Sequence, residues 1–244
     1  MHALIFGATP AAREMATLLY DDYWYVTTSL TAIQAHTQLP VGNIRIDQCN
    51  DPAALAQWLI TEHIDIIVDT TDPFTEHLSV TIAEAARATG IPVIALQQPV
   101  WTPQTHDRWL FVHTLDEAAA SASREYHHIF LHLQPNQLPK FCRDPHNLYV
   151  LRKTEAPLGA LPARHRIVPK HQQVDLETEK KFLRDNQIDC IVMRNDGQPE
   201  DDVLLMAARS LGIAVIMLQR PETGATHHLT TSPQEAFTLI QTWF

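Results

Sequence analysis

The sequence contains a long internal repeat, and this repeat limits the folds that the chain can adopt. One segment begins at Ile64 and reads IDIIVDTTDPFTEHLSVTIAEAARATGIPVIALQQP, and the other begins at Ile188 and reads IDCIVMRNDGQPEDDVLLMAARSLGIAVIMLQRP. Ile64 pairs with Ile188 and Gly90 pairs with Gly212, so the period is longer than a hundred residues. Such a period indicates duplicated domains rather than a solenoid, whose repeat is about 20 to 50 residues.

Each copy has the pattern of a β-α-β unit. A short apolar run is followed by a polar loop, a helix with apolar residues at three- and four-residue spacing, and a second apolar run. Gly90 and Gly212 are predicted to end the helices, and Asp51 and Asp175 are predicted to begin the helices upstream. Because β-α-β connections produce parallel sheets, the sequence predicts an α/β fold with two similar Rossmann-like domains, residues 1–124 and 125–244. Their parallel sheets are expected to leave a ligand cleft between the two domains.

Composition and charge exclude several classes of function. Of the 244 residues 45% are hydrophobic and 19% are charged, which is typical of a globular protein with a sizeable core. A net charge of -10 without a Lys/Arg block argues against a nucleic-acid partner. No apolar run reaches the roughly 18 to 20 residues of a membrane span, and the first residues lack the pattern of a signal peptide, so a cytoplasmic protein without membrane contact is predicted. The scattered cysteines and histidines predict neither a disulfide framework nor a metal site, and the oligomeric state stays open.

Four loops are candidates for binding, because parallel sheets bind ligands at the carboxyl ends of their strands. They are GATPAAR (7–13), TTSL (27–30), DTTDPFTEH (69–77) and MRNDGQPEDD (193–202). The first lacks the GxGxxG spacing of dinucleotide-binding proteins, so a plain turn into a helix with Thr9 as N-cap is an alternative. The second, TTSL, is interpreted as a turn after a strand. It carries hydroxyls where NAD-binding proteins have an acidic residue, which favours NADPH if a nicotinamide cofactor binds; a solvated turn explains it equally well.

The other two loops leave their own alternatives open. Asp72 before Pro73 is expected to end a strand and to leave Pro73 free to start the next helix. Phe74 either packs this helix on the core or presents its ring to a flat ligand. Asn195 to Gly197 suit a tight turn whose amides could hold an anion, although the acidic residues nearby oppose a phosphate.

Over essentially its full length the chain resembles the precorrin-6A reductase (cobalt-precorrin-6A reductase) family of corrin (cobalamin, vitamin B12) biosynthesis. The matching stretches are LIFGATPAAR, TTSL, DTTDPFTEHLS, LQQPVWTP, and IDCIVMRNDG followed by AARSLGIAVIMLQRP. The resemblance implies an NADPH-dependent reductase of a tetrapyrrole double bond. Several loops depart from the family pattern: Asp72 replaces a histidine, LHLQPNQ replaces Thr-Gly-Arg, PKHQQ replaces Arg-Gly-Pro-Phe, and RNDGQ replaces Lys-x-Ser-Gly-Gly.

The resemblance also assigns site residues. Gly7, Thr9 and Arg13 would belong to the opening loop, and Ser29 to the side of the ribose phosphate. Thr70, Pro73 and Phe74 would form the first wall of the cleft, with Asn195 and Gly197 facing them and Arg220 near the mouth. Candidates for binding the macrocycle carboxylates, because guanidinium groups bind carboxylates in bidentate fashion, are Arg13, Arg152, Arg194 and Arg220.

The sequence leaves the chemistry of the last step and the function class open. Asp72, or a bound water, is the candidate proton donor for the reduction. One alternative function is that of a noncatalytic relative that binds a tetrapyrrole or nucleotide, or scaffolds partners in the pathway. Another is an unrelated small-molecule binding protein of the periplasmic-receptor type, against which the missing signal pattern argues.

Overall fold

The structure is a computed structural model, which describes residues 1–32, 38–153, 159–169, 175–221 and 227–244. The strands are β1 His2–Phe6, β2 Tyr25–Leu30, β3 Asn43–Ile46, β4 Ile66–Asp69, β5 Val93–Leu96, β6 Trp109–Val112, β7 His128–His132, β8 Leu148–Arg152, β9 His165–Val168, β10 Cys190–Arg194, β11 Ala214–Leu218 and β12 His227–Thr230. The α-helices are α1 Pro10–Asp21, α2 Pro52–Thr61, α3 Glu76–Thr89, α4 Leu115–Glu125, α5 Leu176–Asp185, α6 Asp202–Leu211 and α7 Pro233–Trp243. None of the helices in the described ranges is long and apolar enough to cross a lipid bilayer.

The first of two compact units comprises Met1–Pro99 and Pro221–Phe244. Its six strands are all parallel, in the order β12-β5-β4-β1-β2-β3. Helices α1 and α7 cover one face, where Met15, Leu19 and Ile240 pack on the strands, and helices α2 and α3 cover the other. Both faces of the sheet are thus buried, as parallel sheets require.

The second unit comprises Val100–Arg220 and repeats this architecture. Its strands are again parallel, in the order β6-β11-β10-β7-β8-β9. Helices α5 and α6 cover one face through Phe182, Leu204 and Leu205. Helix α4 packs on β10 and β11, next to a 3₁₀ helix, Pro135–Phe141.

The α/β class with two parallel sheets is confirmed, but the predicted division into residues 1–124 and 125–244 has to be corrected. Strand β6 pairs with β11 and therefore belongs to the second sheet, whereas β12 pairs with β5 in the first sheet. The units meet along the chain at 99/100 and again at 220/221. The repeat could not reveal this exchange, because both copies end in a similar strand and helix and the sequence does not say which sheet these elements join.

Each sheet has one point at which the strand order reverses, and such points are where doubly wound sheets bind ligands. In the first unit β1 lies between β2 and β4, and Phe6 is in register with Asp69 at the carboxyl ends. In the second unit β7 lies between β8 and β10, and His132 is in register with Met193. Two candidate sites follow, one in each unit.

Candidate functional site

The chain bends sharply at Gly7, directly after β1. Gly7 has a φ of 117°, and a Cβ added there would lie 2.5 Å from Thr70 Oγ1 and 3.1 Å from the Thr70 carbonyl oxygen. The Gly7 N–H donates to the Ser29 carbonyl oxygen at 3.2 Å. Only glycine combines this backbone conformation with so close an approach of the loop after β4. The reversal point of the first sheet is therefore built around Gly7.

Two threonine hydroxyls fix the loop 7–13, called here the Gly7 loop. Thr9 is the N-cap of α1, and its Oγ1 accepts from the Ala12 N–H at 3.0 Å. The same hydroxyl donates to Thr70 Oγ1 at 3.2 Å, and Thr70 Oγ1 donates to the Phe6 carbonyl oxygen at 2.8 Å. The structure thus brings Gly7, Thr9 and Thr70 together, as the resemblance implies.

Arg13 lies beside the Gly7 loop. Its Nη1 donates to the Ala8 carbonyl oxygen at 3.1 Å, and its side chain is half-buried. The first turn of α1 has amides without intrahelical acceptors and the positive end of the helix dipole. A bend that needs glycine, a helix N-terminus and a guanidinium together fit a phosphate group, so the residues of this loop are suited to hold a nucleotide cofactor.

The loop after β4 forms a turn before the next helix begins. Asp72 Oδ1 accepts from the Phe74 N–H at 3.0 Å, and the Asp72 carbonyl oxygen accepts from the Thr75 N–H at 2.8 Å. Helix α3 begins at Glu76. The prediction that Pro73 starts this helix is therefore wrong, because Pro73 lies inside the turn that Asp72 closes. Asp72, Pro73 and Phe74 are all half-buried, so they line the loop surface next to Thr70.

Ser29 lies in a different environment from the one that the sequence suggested. Thr27, Thr28, Ser29 and Leu30 are buried residues of β2 and not a turn that follows it. The Ser29 hydroxyl lies 3.8 Å from Cys49 Sγ, and burial raises the pKa of that thiol despite the Ser29 hydrogen bond. Strand pairing decides this assignment, because the run pairs with β1 through Ser29 and with β3 through Leu30. What Ser29 supplies to the Gly7 loop is its carbonyl oxygen.

The reversal point of the second sheet opens into a cavity of about 500 Å³, called here the β7–β10 pocket. It is lined by titratable residues from five elements, among them His132, Arg152, Lys153, Glu179, Arg194 and Asp201. Sequence reasoning named Arg152 and Arg194 but missed His132, Glu179 and Asp201. His132 was detectable in principle, since it ends the opening strand of the second half, as Phe6 does in the first.

Arg152 is already bound to a carboxylate of the protein. Its Nη1 and Nη2 donate to the two oxygens of Glu179 at 2.6 and 2.7 Å, and Glu179 is 1% exposed. The Arg152 Cζ also lies 3.9 Å from the centroid of the Phe182 ring. The bidentate geometry that was predicted for a macrocycle carboxylate is therefore occupied by Glu179.

The remaining predicted residues lie in or beside the loop after β10. Arg194 Nη2 donates to Asp196 Oδ2 at 2.8 Å, and Arg220 Nη2 donates to the Asp196 carbonyl oxygen at 3.0 Å. Burial raises the pKa of the Asp196 carboxyl, against the lowering effect of Arg194. Gly197 has a φ of 71°, a left-handed conformation that favours glycine. The side chain of Asn195, however, is hydrogen-bonded to the main chain of Trp101. These residues lie together, but their contacts are mainly with one another.

The fold and the two reversal-point sites define a protein of the Rossmann-like α/β class. The family model described as "Precorrin-6x reductase CbiJ/CobK" matches residues 2–241. The chain therefore belongs to the precorrin-6x reductase family, a family of oxidoreductases of cobalamin biosynthesis.

Individual relatives agree with this membership. A precorrin-6A reductase of Sinorhizobium sp. is 34% identical over 89% of this chain and 84% of its own length. One of Rhodococcus erythropolis is 31% identical over 89% of this chain and 88% of its own length. The solved structure of a CobK precorrin-6A reductase superposes with a TM-score of 0.82 at 27% identity, covering 99% of this chain and 96% of that one.

Proposed function

We propose that the protein is an NADPH-dependent reductase of a precorrin tetrapyrrole, with precorrin-6A as the substrate. The observation that carries the proposal is the Gly7 loop at the reversal point of the first sheet, where α1 begins beside the Arg13 guanidinium. Membership of the precorrin-6x reductase family supports the tetrapyrrole as the second reactant. We propose further that the protein acts in the cytoplasm, as its composition predicts.

The Gly7 loop is proposed to hold the phosphates of NADPH. Thr9 uses its hydroxyl to cap Ala12, which leaves the Ala11 amide at the second position of α1 to donate to a phosphate oxygen. Arg13 donates to a carbonyl oxygen, which carries only a partial charge, so the guanidinium keeps its full charge for a phosphate. We therefore propose that the cofactor is bound mainly by Gly7, Thr9 and Arg13.

The other predicted cofactor residues are proposed to act less directly. Thr70 positions the loop through its hydrogen bonds with Thr9 and Phe6, and Ser29 does so through its carbonyl oxygen. Pro73 and Phe74 offer a half-buried apolar surface next to Asp72, which suits a flat ring. Asn195, Gly197 and Arg220 are proposed to shape the loop after β10 rather than to touch the phosphates.

The chemistry divides between the cofactor and the chain. Bound NADPH supplies the hydride, and the chain has to hold the reacting carbons close together, exclude water and deliver a proton. Arg152 and Arg194 would have to exchange a protein carboxylate for one of the macrocycle in order to bind it directly. Their proposed role is therefore to hold the walls of the β7–β10 pocket in place.

An NADPH titration followed by a turnover assay tests the proposal. We expect the protein to change NADPH fluorescence in a saturable way, and to oxidise NADPH only when precorrin-6A is present. NADH should bind more weakly, because it lacks the 2′-phosphate. A purified protein that leaves NADPH fluorescence unchanged at millimolar cofactor would contradict the proposal.

One observation favours a second candidate, a noncatalytic relative that binds a tetrapyrrole. Both arginines of the β7–β10 pocket that were expected to meet substrate are paired with acidic groups of the protein. The same assay separates the two functions. Binding of the macrocycle without NADPH oxidation would support the noncatalytic function, whereas oxidation in the presence of the macrocycle supports the reductase.

A further inference from the structure

The β7–β10 pocket contains a histidine paired with an aspartate at the reversal point of the sheet. His132 is the last residue of β7, and its Nε2 lies 2.9 Å from Oδ2 of Asp201. Asp201 ends a short 3₁₀ helix, Pro199–Asp201, that leads into α6. The His132 side chain is 37% exposed and that of Asp201 is 17% exposed. Both side chains line the pocket, and the imidazole is the more exposed of the two.

The other charged groups of the pocket are held by contacts of their own. Arg152 binds Glu179 and Arg194 binds Asp196, each at hydrogen-bond distance. Lys153 Nζ donates to the Leu133 carbonyl oxygen at 3.0 Å, and Glu200 lies exposed at the rim. The charged groups that line the pocket together with His132 and Asp201 are Arg152, Lys153, Glu179, Arg194, Asp196 and Glu200. Unlike Arg152 and Arg194, His132 is an imidazole that can act as a general acid without breaking an arginine–carboxylate pair.

The pair is suited to donate a proton. In an imidazolium both ring nitrogens carry a proton. With Nε2–H donating to Asp201, the proton on Nδ1 is the one that can be transferred. A carboxylate at the other ring nitrogen holds the imidazole in one orientation and stabilises its charged form.

We propose that the β7–β10 pocket takes part of the tetrapyrrole and that His132 donates the proton that completes reduction of its double bond, with Asp201 as the positioning residue. This inference rests on the proposed reductase function. In the reduction the π bond of the ring breaks and one carbon gains the hydride that the cofactor supplies. The electron pair left on the other carbon forms a C–H bond with the proton from His132. The neutral imidazole then regains a proton from water.

Three variants test this assignment. His132→Gln removes the proton donor, Asp201→Asn removes the positioning carboxylate, and His128→Gln is the matched control. His128 is the first residue of β7, at the amino end of the strand, and its Nδ1 lies 3.1 Å from the Gln187 carbonyl oxygen. Loss of a general acid lowers rates by about 10²–10⁴-fold. We expect kcat of H132Q to fall by about this factor, with KM for precorrin-6A and the NADPH dissociation constant little changed, and H128Q to behave like the wild type.

The pH dependence separates a proton donor from a structural residue. A proton donor predicts an alkaline fall of kcat in the wild type, and this fall should be missing in H132Q. In D201N kcat should fall as well, because Asp201 no longer orients the imidazole. A wild-type alkaline fall that persists unchanged in H132Q would contradict the inference, as would an Asp72→Asn variant that abolishes kcat while H132Q retains it.

A readout that needs no turnover completes the test. In NMR spectra of the protein with isotope-labelled histidine, addition of precorrin-6A without NADPH should shift the ring signals of His132 and leave those of His128 in place. An unchanged His132 signal at saturating macrocycle overturns the inference. If the wild type fails to oxidise NADPH, the reductase function itself fails; if it oxidises NADPH and H132Q equals H128Q, only the assignment of His132 fails. Should H132Q not fold, as judged by its melting temperature, D201N carries the same kinetic test.

Discussion

The carboxamide of Asn195 bridges the main chain of Trp101 with two hydrogen bonds. Asn195 Oδ1 accepts from the Trp101 N–H at 2.7 Å, and Asn195 Nδ2 donates to the Trp101 carbonyl oxygen at 3.2 Å. The two residues are far apart in the sequence, at the start and near the end of the second unit. A residue whose loop position predicted ligand contact thus joins two segments of the protein.

This bridge predicts a loss of stability in Asn195 variants. Asn195→Ala leaves the Trp101 amide and carbonyl without their side-chain partners, which should lower the free energy of unfolding by about 1–3 kcal/mol. Asn195→Asp should cost less, because a carboxylate still accepts from the amide although it cannot donate to the carbonyl. Denaturant titrations measure both, with the exposed Asn136→Ala as control. Equal stabilities of N195A and N136A would show that the bridge contributes nothing.

Gly7→Ala should damage the protein more than a glycine substitution elsewhere. The new Cβ would approach Thr70 Oγ1 to 2.5 Å, whereas a Cβ at Gly90, which also has a positive φ, would meet nothing within 4 Å. Both variants suffer backbone strain of about 1 kcal/mol or more, so the excess loss in G7A reports the steric contact. We expect thermal melting to show this excess, and NADPH binding to be lost only in G7A. Adding Thr70→Ala should restore part of the stability, and a G7A variant no worse than G90A would refute the steric explanation.

Arg13→Gln should weaken NADPH binding by about tenfold to a hundredfold, since a charge-assisted hydrogen bond contributes about 1.5–3 kcal/mol. The melting temperature should stay close to that of the wild type, because the Arg13 side chain contacts only the Ala8 carbonyl oxygen among the described hydrogen bonds. Arg124→Gln removes an exposed cation paired with Glu125 and is the control. The dissociation constants come from fluorescence titration. Equal NADPH affinity of R13Q and R124Q would place the phosphates elsewhere.

The pair of Arg152 and Glu179 predicts a different response. Glu179→Gln leaves a buried guanidinium without its counter-charge, and breaking such a pair costs about 3–5 kcal/mol. Asp185→Asn, which removes an exposed partner of Lys181, should cost no more than about 0.5 kcal/mol. Urea unfolding measures both losses. Similar losses of unfolding free energy in the two variants would mean that water in the pocket solvates the Arg152 guanidinium well enough to replace Glu179.

Asp144 predicts a dependence of stability on pH. Burial opposes its ionisation, but hydrogen bonds from the His146 N–H, the Tyr149 hydroxyl and the Asn147 side chain outweigh burial and lower the pKa of Asp144. A carboxyl whose pKa is lower in the folded state stabilises the fold above the unfolded pKa, about 3.9, and this stabilisation is lost as the pH falls below that value.

The stability difference between the wild type and Asp144→Asn should therefore shrink below about pH 4. Tyr149→Phe removes one of the donors and should move the acid loss of stability to higher pH. Urea unfolding measured across the acid range tests both changes. If the wild type and D144N keep a constant difference down to pH 2, Asp144 is not the group responsible.

The loops show where sequence reasoning succeeded and where it stopped. The Gly7 loop was found because a glycine after a strand and a threonine before a helix are local signals, and Thr9 does cap α1. The TTSL run was misread because its hydroxyls suggested a turn, whereas pairing on both sides buries it within β2. Asp201 lies in the candidate loop 193–202 and His132 ends the opening strand of the second half, but their contact carried no signal, since it spans 69 positions.

The sequence alone determined that this chain forms helices and parallel strands in alternation. The signals were the repeat, the apolar runs, and the helix caps at Asp51, Asp175, Gly90 and Gly212. Such features depend on residues a few positions apart, so they can be read along the chain. Only the tertiary structure decided that β6 joins the second sheet and β12 the first. It also decided that the side chains of Asn195, Arg152 and His132 bind other groups of the protein. Those pairings are selected by how whole layers pack and by the need to satisfy buried polar groups, and neither condition is expressed in neighbouring residues.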